Sequence, residues 1–354
     1  MDANPGSLAP PAGRTLAPAY AALDLGTNNC RLLVGMPTGD GFRVVDSFSR
    51  IVRLGEGLHH SGRLSEPAMD RTIGALQACV SRLERRPVRA VRAIATEACR
   101  RASNGGAFID RIQRETGLNF DVITAREEAA LVLESCAPLL ASGCRRALLF
   151  DIGGGSTELV WVRISAEGGP ELAGYVSLPV GVVTLADRFG TAGFDPDGFA
   201  AMVEDVTVRL QGFEQVHRIG QEIRQGGVRL LGTSGTVTTL AGIVLELKQY
   251  SRPAVDGVVL SRDAAAGAMA DLRAMGREGL VAHPCVGPER ADFVLPGCAI
   301  FAAIQALWPA PEVMVADCGL REGLLLRLIR ADRSRSGLRP SAVRQSGRSP
   351  VARA

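Results

Sequence analysis

Apolar residues in this chain fall into two kinds of run. Short runs bounded by glycine-containing turns predict strands at 20–25, 31–36, 42–48, 88–95 and 120–123. Longer stretches, with apolar positions three and four residues apart, predict helices at 66–86, 107–116 and 126–140. The same order then restarts. Strands are predicted at 147–151, 158–162 and 173–178, then helices at 181–189 and 196–217, a strand at 228–231 and a helix at 237–247. Helices at 262–273 and 288–307, a strand at 313–316 and a helix from 321 to about 331 close the pattern. Strand-rich starts, each followed by helices, predict α/β units.

The restart can be read residue by residue. Asp24-Leu25-Gly26-Thr27-Asn28-Asn29-Cys30-Arg31-Leu32-Leu33 aligns without a gap on Asp151-Ile152-Gly153-Gly154-Gly155-Ser156-Thr157-Glu158-Leu159-Val160, 127 residues later. An internal repeat of apolar strand, Asp, small-residue turn and strand predicts two similar domains whose turns can face each other across a cleft. An Asp at a strand end can bind a hard cation, directly or through water. The turn after it presents backbone N–H groups to an anion, because glycine permits close approach. Thr27, Ser156 and Thr157 add hydroxyl donors, and the alternative for Asp24 is turn capping alone. A third loop, Gly232-Thr233-Ser234-Gly235-Thr236, precedes a predicted helix and reads as an anion loop or as a cap only.

Composition narrows the chemistry. Of 354 residues, 46% are hydrophobic and 22% charged, an ordinary globular balance. Lys248 is the one lysine, and it lies outside any glycine-rich loop, so a lysine-bearing P-loop is absent. The net charge is +3, but residues 333–354 hold six arginines and no acid, which leaves a mildly acidic body. Affinity for a polyanion must then come from local loops and arginines or from the tail, not from a basic body. Residues 1–17 and 332–354 are expected to be disordered. The tail is favoured as a solvated end over a nucleic-acid or polyphosphate tether. The start, Met1 to Pro18, lacks the basic and apolar regions of a secretory signal, and no apolar run is long enough for a membrane helix. Eight cysteines without a C-x-x-C or a zinc-like Cys/His spacing fit a reducing cytoplasm, with Cys79, Cys136 and Cys298 as core residues.

The segments AALDLGTNNCRLLV, LLFDIGGGSTELVWV, ITAREEA, GTSGTVTTLAG and DCGLREGLLL together resemble the exopolyphosphatase/guanosine pentaphosphate phosphohydrolase (Ppx/GppA) family, from about residue 20 to 331. The resemblance implies the actin/Hsp70/sugar-kinase superfold. That means two actin-like (ribonuclease H-like) α/β domains with an interdomain cleft: 18–125 with 318–331, and 126–317. It implies hydrolysis of the terminal phosphoanhydride of polyphosphate or pppGpp with Mg²⁺ or a similar cation. Glu128, the second Glu of EEA, is then the catalytic base. Its neighbour Glu127 completes a capping box with Thr124 and so has a structural task of its own. Asp151 and Glu158 match the family's metal-associated acids, and Asp24 is their counterpart through the repeat. Arg100 matches the family's arginine for phosphate charge, although either Arg100 or Arg101 can face the cleft. Arg31 occupies the repeat position of Glu158, where a salt bridge and a phosphate contact are both open. Asn104 reads as a helix cap. The phosphate contacts expected are Gly26, Thr27, Asn28, Gly153, Gly154, Gly155, Ser156, Thr157, Gly232, Thr233, Ser234, Gly235 and Arg31.

Two departures qualify the match. The family's first turn often reads G-S-N-S, whereas here Asn29 puts an amide where a hydroxyl is usual. Longer relatives carry a C-terminal helical domain with an HD metal motif; none of His59, His60, His217 and His283 precedes an Asp, so the expectation is the short, two-domain form. A homodimer is a further expectation from relatives. The rival functions are an ATP-using kinase of the same superfold and a pppGpp- or ATP-binding sensor with little turnover.

Overall fold

The computed structural model describes residues 18–39, 41–86, 88–140, 143–165 and 169–335. The N-terminal arm expected over 1–17 lies outside them, as do residues 336–354 of the expected tail. Residues 332–335 are not tail. They continue the last helix, Leu320–Arg335. The reason is local: Asp332 accepts a hydrogen bond from the Tyr20 hydroxyl at 2.6 Å and pairs with Arg89 at 2.9 Å, so the helix end is tied to the first strand.

The first sheet holds β1 (Ala19–Leu25), β2 (Asn29–Thr38), β3 (Gly41–Ile51), β4 (Val88–Ala95) and β5 (Phe120–Val122). The second holds β6 (Arg146–Ile152), β7 (Thr157–Ser165), β8 (Gly169–Leu178), β9 (Val228–Thr233), β10 (Val259–Ser261) and β11 (Glu312–Ala316). Strand order is β3-β2-β1-β4-β5 in one and β10-β11-β9-β6-β7-β8 in the other. Apart from the edge strand β10, which the sequence pattern misses, the two orders are the same. In each, the first three strands form an antiparallel meander and the next two join parallel to the first strand. This is the actin-like topology, present twice. Register repeats as well: Asp24 lies opposite Arg31 across β1 and β2, and Asp151 lies opposite Glu158 across β6 and β7.

The central strands β1 and β6 are covered on both faces, which is why they read as nearly continuous apolar runs. Helices Glu66–Arg85 and Gly105–Thr116 cover one face of the first sheet through Ile73, Leu76, Phe108 and Ile112. Helices Pro196–His217 and Ala291–Leu307 cover the outer face of the second. Helix Ala125–Leu140 lies between the sheets. Its Leu131 joins Leu324, Leu325 and Ile329 of the last helix against the first sheet, while Val132 and Cys136 pack on the second. The two helices cross so closely that a Cβ on Gly323 would stand 2.2 Å from the Leu131 carbonyl oxygen. Among the described residues, no helix is long and apolar enough to cross a membrane.

Candidate functional site

The two repeat turns meet. Gly26 N–H donates to Asn29 O at 2.9 Å, and Gly153 N–H donates to Ser156 O at 3.0 Å, so both copies close with the same bond. A Cβ on Gly155 would stand 2.4 Å from Thr27 Oγ1, and one on Gly154 would stand 3.1 Å from Asn28 N. Side chains at 154 and 155 would hold the turns apart, and glycine lets the backbones touch. Around this contact lies a cavity of about 350 Å³. Asp24, Gly26, Thr27, Asn28 and Arg31 line it from the first repeat, and Asp151, Gly153, Gly154, Gly155, Ser156 and Glu158 from the second.

Glu128 also lines this cavity and is 5% exposed. It sits in the first turn of helix Ala125–Leu140, so its position depends on an element packed against both sheets. The guanidinium of Arg100 donates to Ile123 O at 2.7 Å, to Glu128 Oε2 at 3.4 Å and to Glu97 Oε2 at 2.5 Å. Arg100 therefore reaches Glu128. Arg101 is half-exposed, with one pairing to Glu97 at 3.7 Å. Arg100 is not among the residues that line the cavity, and its donors are directed at Glu97, Ile123 and Glu128. Only half of the expected capping box forms: Thr124 Oγ1 accepts from Glu127 N–H at 3.2 Å, but the Glu127 carboxylate turns to Arg92 at 2.8 Å.

Four acids crowd this space, and burial raises each. Burial and then the charge of Glu158 lift Glu128 well above the usual carboxylate range, with Arg100 opposing. Burial, followed by Asp151, pushes Glu158 up to about 7 against hydrogen bonds from Ser156 and Ser177. Asp24 and Asp151 are raised chiefly by burial, and Arg31 opposes the rise at both. Asp24 Oδ1 and Asn28 Oδ1 are buried without a hydrogen-bond partner among the described residues. Among the described residues, no three His, Cys, Asp or Glu side chains form a ready ligand cluster. Mg²⁺ does not require one, since it is held by one or two carboxylates with water and phosphate oxygens. An orphaned carboxylate oxygen on Asp24 beside raised Asp151 and Glu158 is a donor set that suits such a cation. Arg31, left open from sequence, makes no ion pair within 4 Å among the described residues and faces the cavity.

Some expected contacts are elsewhere. Thr157 Oγ1 donates to Val180 O at 2.7 Å, away from the cavity. Gly232 and Thr233 belong to β9: Gly232 packs under Phe150 and Val237, and Thr233, although it occupies the N-cap position of the next helix, donates its hydroxyl to Cys318 O, so its side chain makes no cap bond and does not reach the cavity. That helix, Ser234–Val244, begins three residues before the expected Val237, which places Ser234, Gly235 and Thr236 at the cavity wall with its N-terminal amides. Asn104 does not cap by its side chain; it holds Leu64 by two bonds, at 2.8 and 3.0 Å. Thr96, Glu289, Arg290 and Phe293 line the cavity without having been anticipated. Arg290 and Phe293 sit at the start of a helix whose apolar pattern signals only core.

The sequence profile described as the Ppx/GppA phosphatase family matches residues 35–331. Two Vibrio proteins named guanosine-5′-triphosphate,3′-diphosphate pyrophosphatase, from Vibrio parahaemolyticus and Vibrio campbellii, are 30% and 31% identical over 316 and 315 residues. The alignments cover 88% of this chain but span only 60% of those relatives' length. Among solved structures, an exopolyphosphatase from Cytophaga hutchinsonii superposes with a TM-score of 0.79 at 25% identity, covering 88% of this chain and 98% of that one. The Aquifex aeolicus member of the Ppx/GppA family does so with a TM-score of 0.72 at 27% identity, covering 89% and 98%.

Proposed function

The chain belongs to the Ppx/GppA phosphatase family, and from that premise we propose that it is a phosphohydrolase releasing the terminal phosphate of inorganic polyphosphate or of pppGpp. The observation that carries this reading is Glu128, a buried acid on the wall of a cavity formed by two touching glycine turns. Phosphoryl transfer depends mainly on positioning and charge stabilisation, and this set of residues offers both.

In this mechanism the terminal phosphate lies in the cavity against the two turns, met by the turn N–H groups other than those of Gly26 and Gly153, which close the turns, and by the N-terminus of helix Ser234–Val244. Glu128 orients a water and takes its proton as the water oxygen bonds to phosphorus. The bridging P–O bond breaks in line, and the leaving group is the shortened polyphosphate or ppGpp. Arg100 is a positioning residue that fixes the Glu128 carboxylate. Arg31, which faces the cavity and makes no ion pair among the described residues, meets the negative oxygens of the chain. Asp24, Asp151 and Glu158 are the residues that would hold a divalent cation such as Mg²⁺. When bound, that cation neutralises charge on the phosphate oxygens. The two halves, 18–125 with 318–331 and 126–317, close over the substrate by a hinge motion.

The test is phosphate release from polyphosphate, pppGpp and ATP by the wild type and by Glu128→Gln. The expected result is turnover of at least one of the first two substrates. In the variant kcat should fall by about 10²–10⁴-fold, with substrate binding kept. Binding without phosphate release by the wild type would identify a sensor and overturn the reading.

A further inference from the structure

A second cavity, of about 280 Å³, adjoins the first, and Phe293 lines both. Its sides are apolar, from Val183, Ala186, Phe194 and Phe293. Most of its charged groups are already engaged. Arg277 pairs with both oxygens of Asp292, at 2.8 and 3.3 Å, and Glu56 pairs with Arg71 at 2.7 Å. Two groups remain. Asp187 Oδ2 accepts from Gly57 N–H at 3.2 Å, while its Oδ1 has no hydrogen bond among the described residues. Arg53 makes no ion pair among the described residues, and its guanidinium lies 5.4 Å from the centre of the Phe293 ring, at the boundary between the two cavities.

The order of features is therefore the first cavity, of about 350 Å³, to which the phosphates are assigned, an arginine at the border, and an apolar slot containing an open carboxylate oxygen. A linear polyphosphate does not fit that order, since its anionic oxygens would meet the Asp187 carboxylate. A nucleoside does. A flat base fills the apolar slot, and the arginine meets the phosphates that link it to the scissile end. Among the purines, guanine presents two adjacent N–H donors, N1–H and N2–H, on the edge where adenine presents an unprotonated ring nitrogen. A carboxylate oxygen is an acceptor only: both guanine donors can converge on it, whereas adenine offers its N6 amino group alone beside a ring-nitrogen lone pair that the oxygen repels, so the site favours guanine.

We propose that this second cavity is a guanine-base site, with Asp187 reading the base and Arg53 meeting the phosphates beside it. The proposal rests on the phosphohydrolase reading and deepens it, because it makes a guanosine 5′-triphosphate derivative the favoured substrate over linear polyphosphate. It uses Asp187→Asn and Ala186→Phe. The asparagine keeps an acceptor for Gly57 N–H, but it turns an N–H donor toward the guanine edge. The phenylalanine fills the slot and leaves Asp187 in place.

Two measurements test it. The first is the ratio of kcat/KM on pppGpp to kcat/KM on tripolyphosphate, which should fall about 10–100-fold in both variants. A ratio within twofold of the wild type in both variants overturns the base site. The second is calorimetric binding of GDP and ADP, which needs no turnover. The wild type should prefer GDP by at least about tenfold, and Asp187→Asn should lose that preference. Equal binding of GDP and ADP by the wild type also overturns the proposal. If the wild type hydrolyses neither pppGpp nor polyphosphate, the phosphohydrolase reading fails, and the GDP and ADP titrations still decide the base site on their own.

Discussion

Glu158→Gln should lower activity and yet stabilise the metal-free fold, with a pH dependence that follows from the site. Burial, followed by Asp151, raises the Glu158 carboxyl from an ordinary 4.5 to about 7. Because the folded value lies above the unfolded one, the protonated form is favoured in the folded state. Below pH 4.5 the group is protonated in both states and there is no penalty. Between 4.5 and 7 the fold loses about 1.4 kcal/mol per pH unit, and above 7 the loss levels off at ~3 kcal/mol. Glutamine keeps the shape and an acceptor for the Ser177 hydroxyl, which donates to Glu158 Oε1 at 2.8 Å, and it never charges. In EDTA at pH 8 the variant should therefore melt roughly 5 °C above the wild type, taking a melting entropy scaled to a chain of this size. At pH 4.5 the difference should shrink toward zero. Added Mg²⁺ should raise the wild-type Tm and leave the variant nearly unmoved. Equal melting of the two proteins at pH 8 in EDTA would refute the placement of Glu158 as a desolvated acid in a cation-requiring cluster.

Gly155→Ala places a methyl 2.4 Å from Thr27 Oγ1 and should spread the two turns, lowering kcat/KM by about 10–100-fold at a stability cost of about 1–3 kcal/mol. Adding Thr27→Ala should restore part of the loss, read as a non-zero coupling in a double-mutant cycle. Gly323→Ala meets the backbone oxygen of Leu131 at 2.2 Å, which cannot rotate away. Urea denaturation should show a loss of about 2–3 kcal/mol, with kcat reduced although no cavity residue is altered. Asp205 accepts from Arg188 at 2.8 and 2.9 Å and from Arg209 at 3.0 Å, and the Arg188 hydrogen bond holds its carboxyl well below the usual range. Its folded value is depressed, so its stabilisation is complete above the unfolded value and is lost as pH falls through the folded one. Asp205→Asn should cost about 1 kcal/mol at pH 7 and progressively less below pH 4.

Much of the fold was legible because the repeat carries more information than any single motif. A gapless alignment of two ten-residue segments fixes strand, turn and strand in both copies, and the sheets repeat that order well beyond the aligned residues. The boundary errors have one physical origin. Apolar spacing marks where a helix is buried, not where it begins. The first turn of helix Ser234–Val244 is built from Ser234, Gly235 and Thr236, which give no apolar signal, so periodicity starts the helix late. At the C-terminus the charged residues read as a solvated tail, because the Tyr20 and Arg89 that fix Asp332 are some three hundred and two hundred and forty residues away in sequence.

The site shows a sharper division between what sequence reveals and what it does not. Side chains alternate across a strand, so if Glu158 faces the cavity then Thr157 beside it must face away, as its bond to Val180 O confirms. That inference was available from sequence and overrides counting every hydroxyl in the turn as a contact. Arg100 was beyond such reasoning. A motif marks it as important but cannot distinguish an arginine that touches phosphate from one that holds an acid. That choice depends on where Glu97, Ile123 and Glu128 converge in space. Phe293 and Arg290 were hidden for a related reason: a helix start that borders a cavity has the same composition as one that borders core. Local chemistry can thus be read from spacing where a repeat or an alternation constrains direction. Where direction is set by packing between the two sheets, as it is for Glu128 on helix Ala125–Leu140, only the assembled fold supplies it.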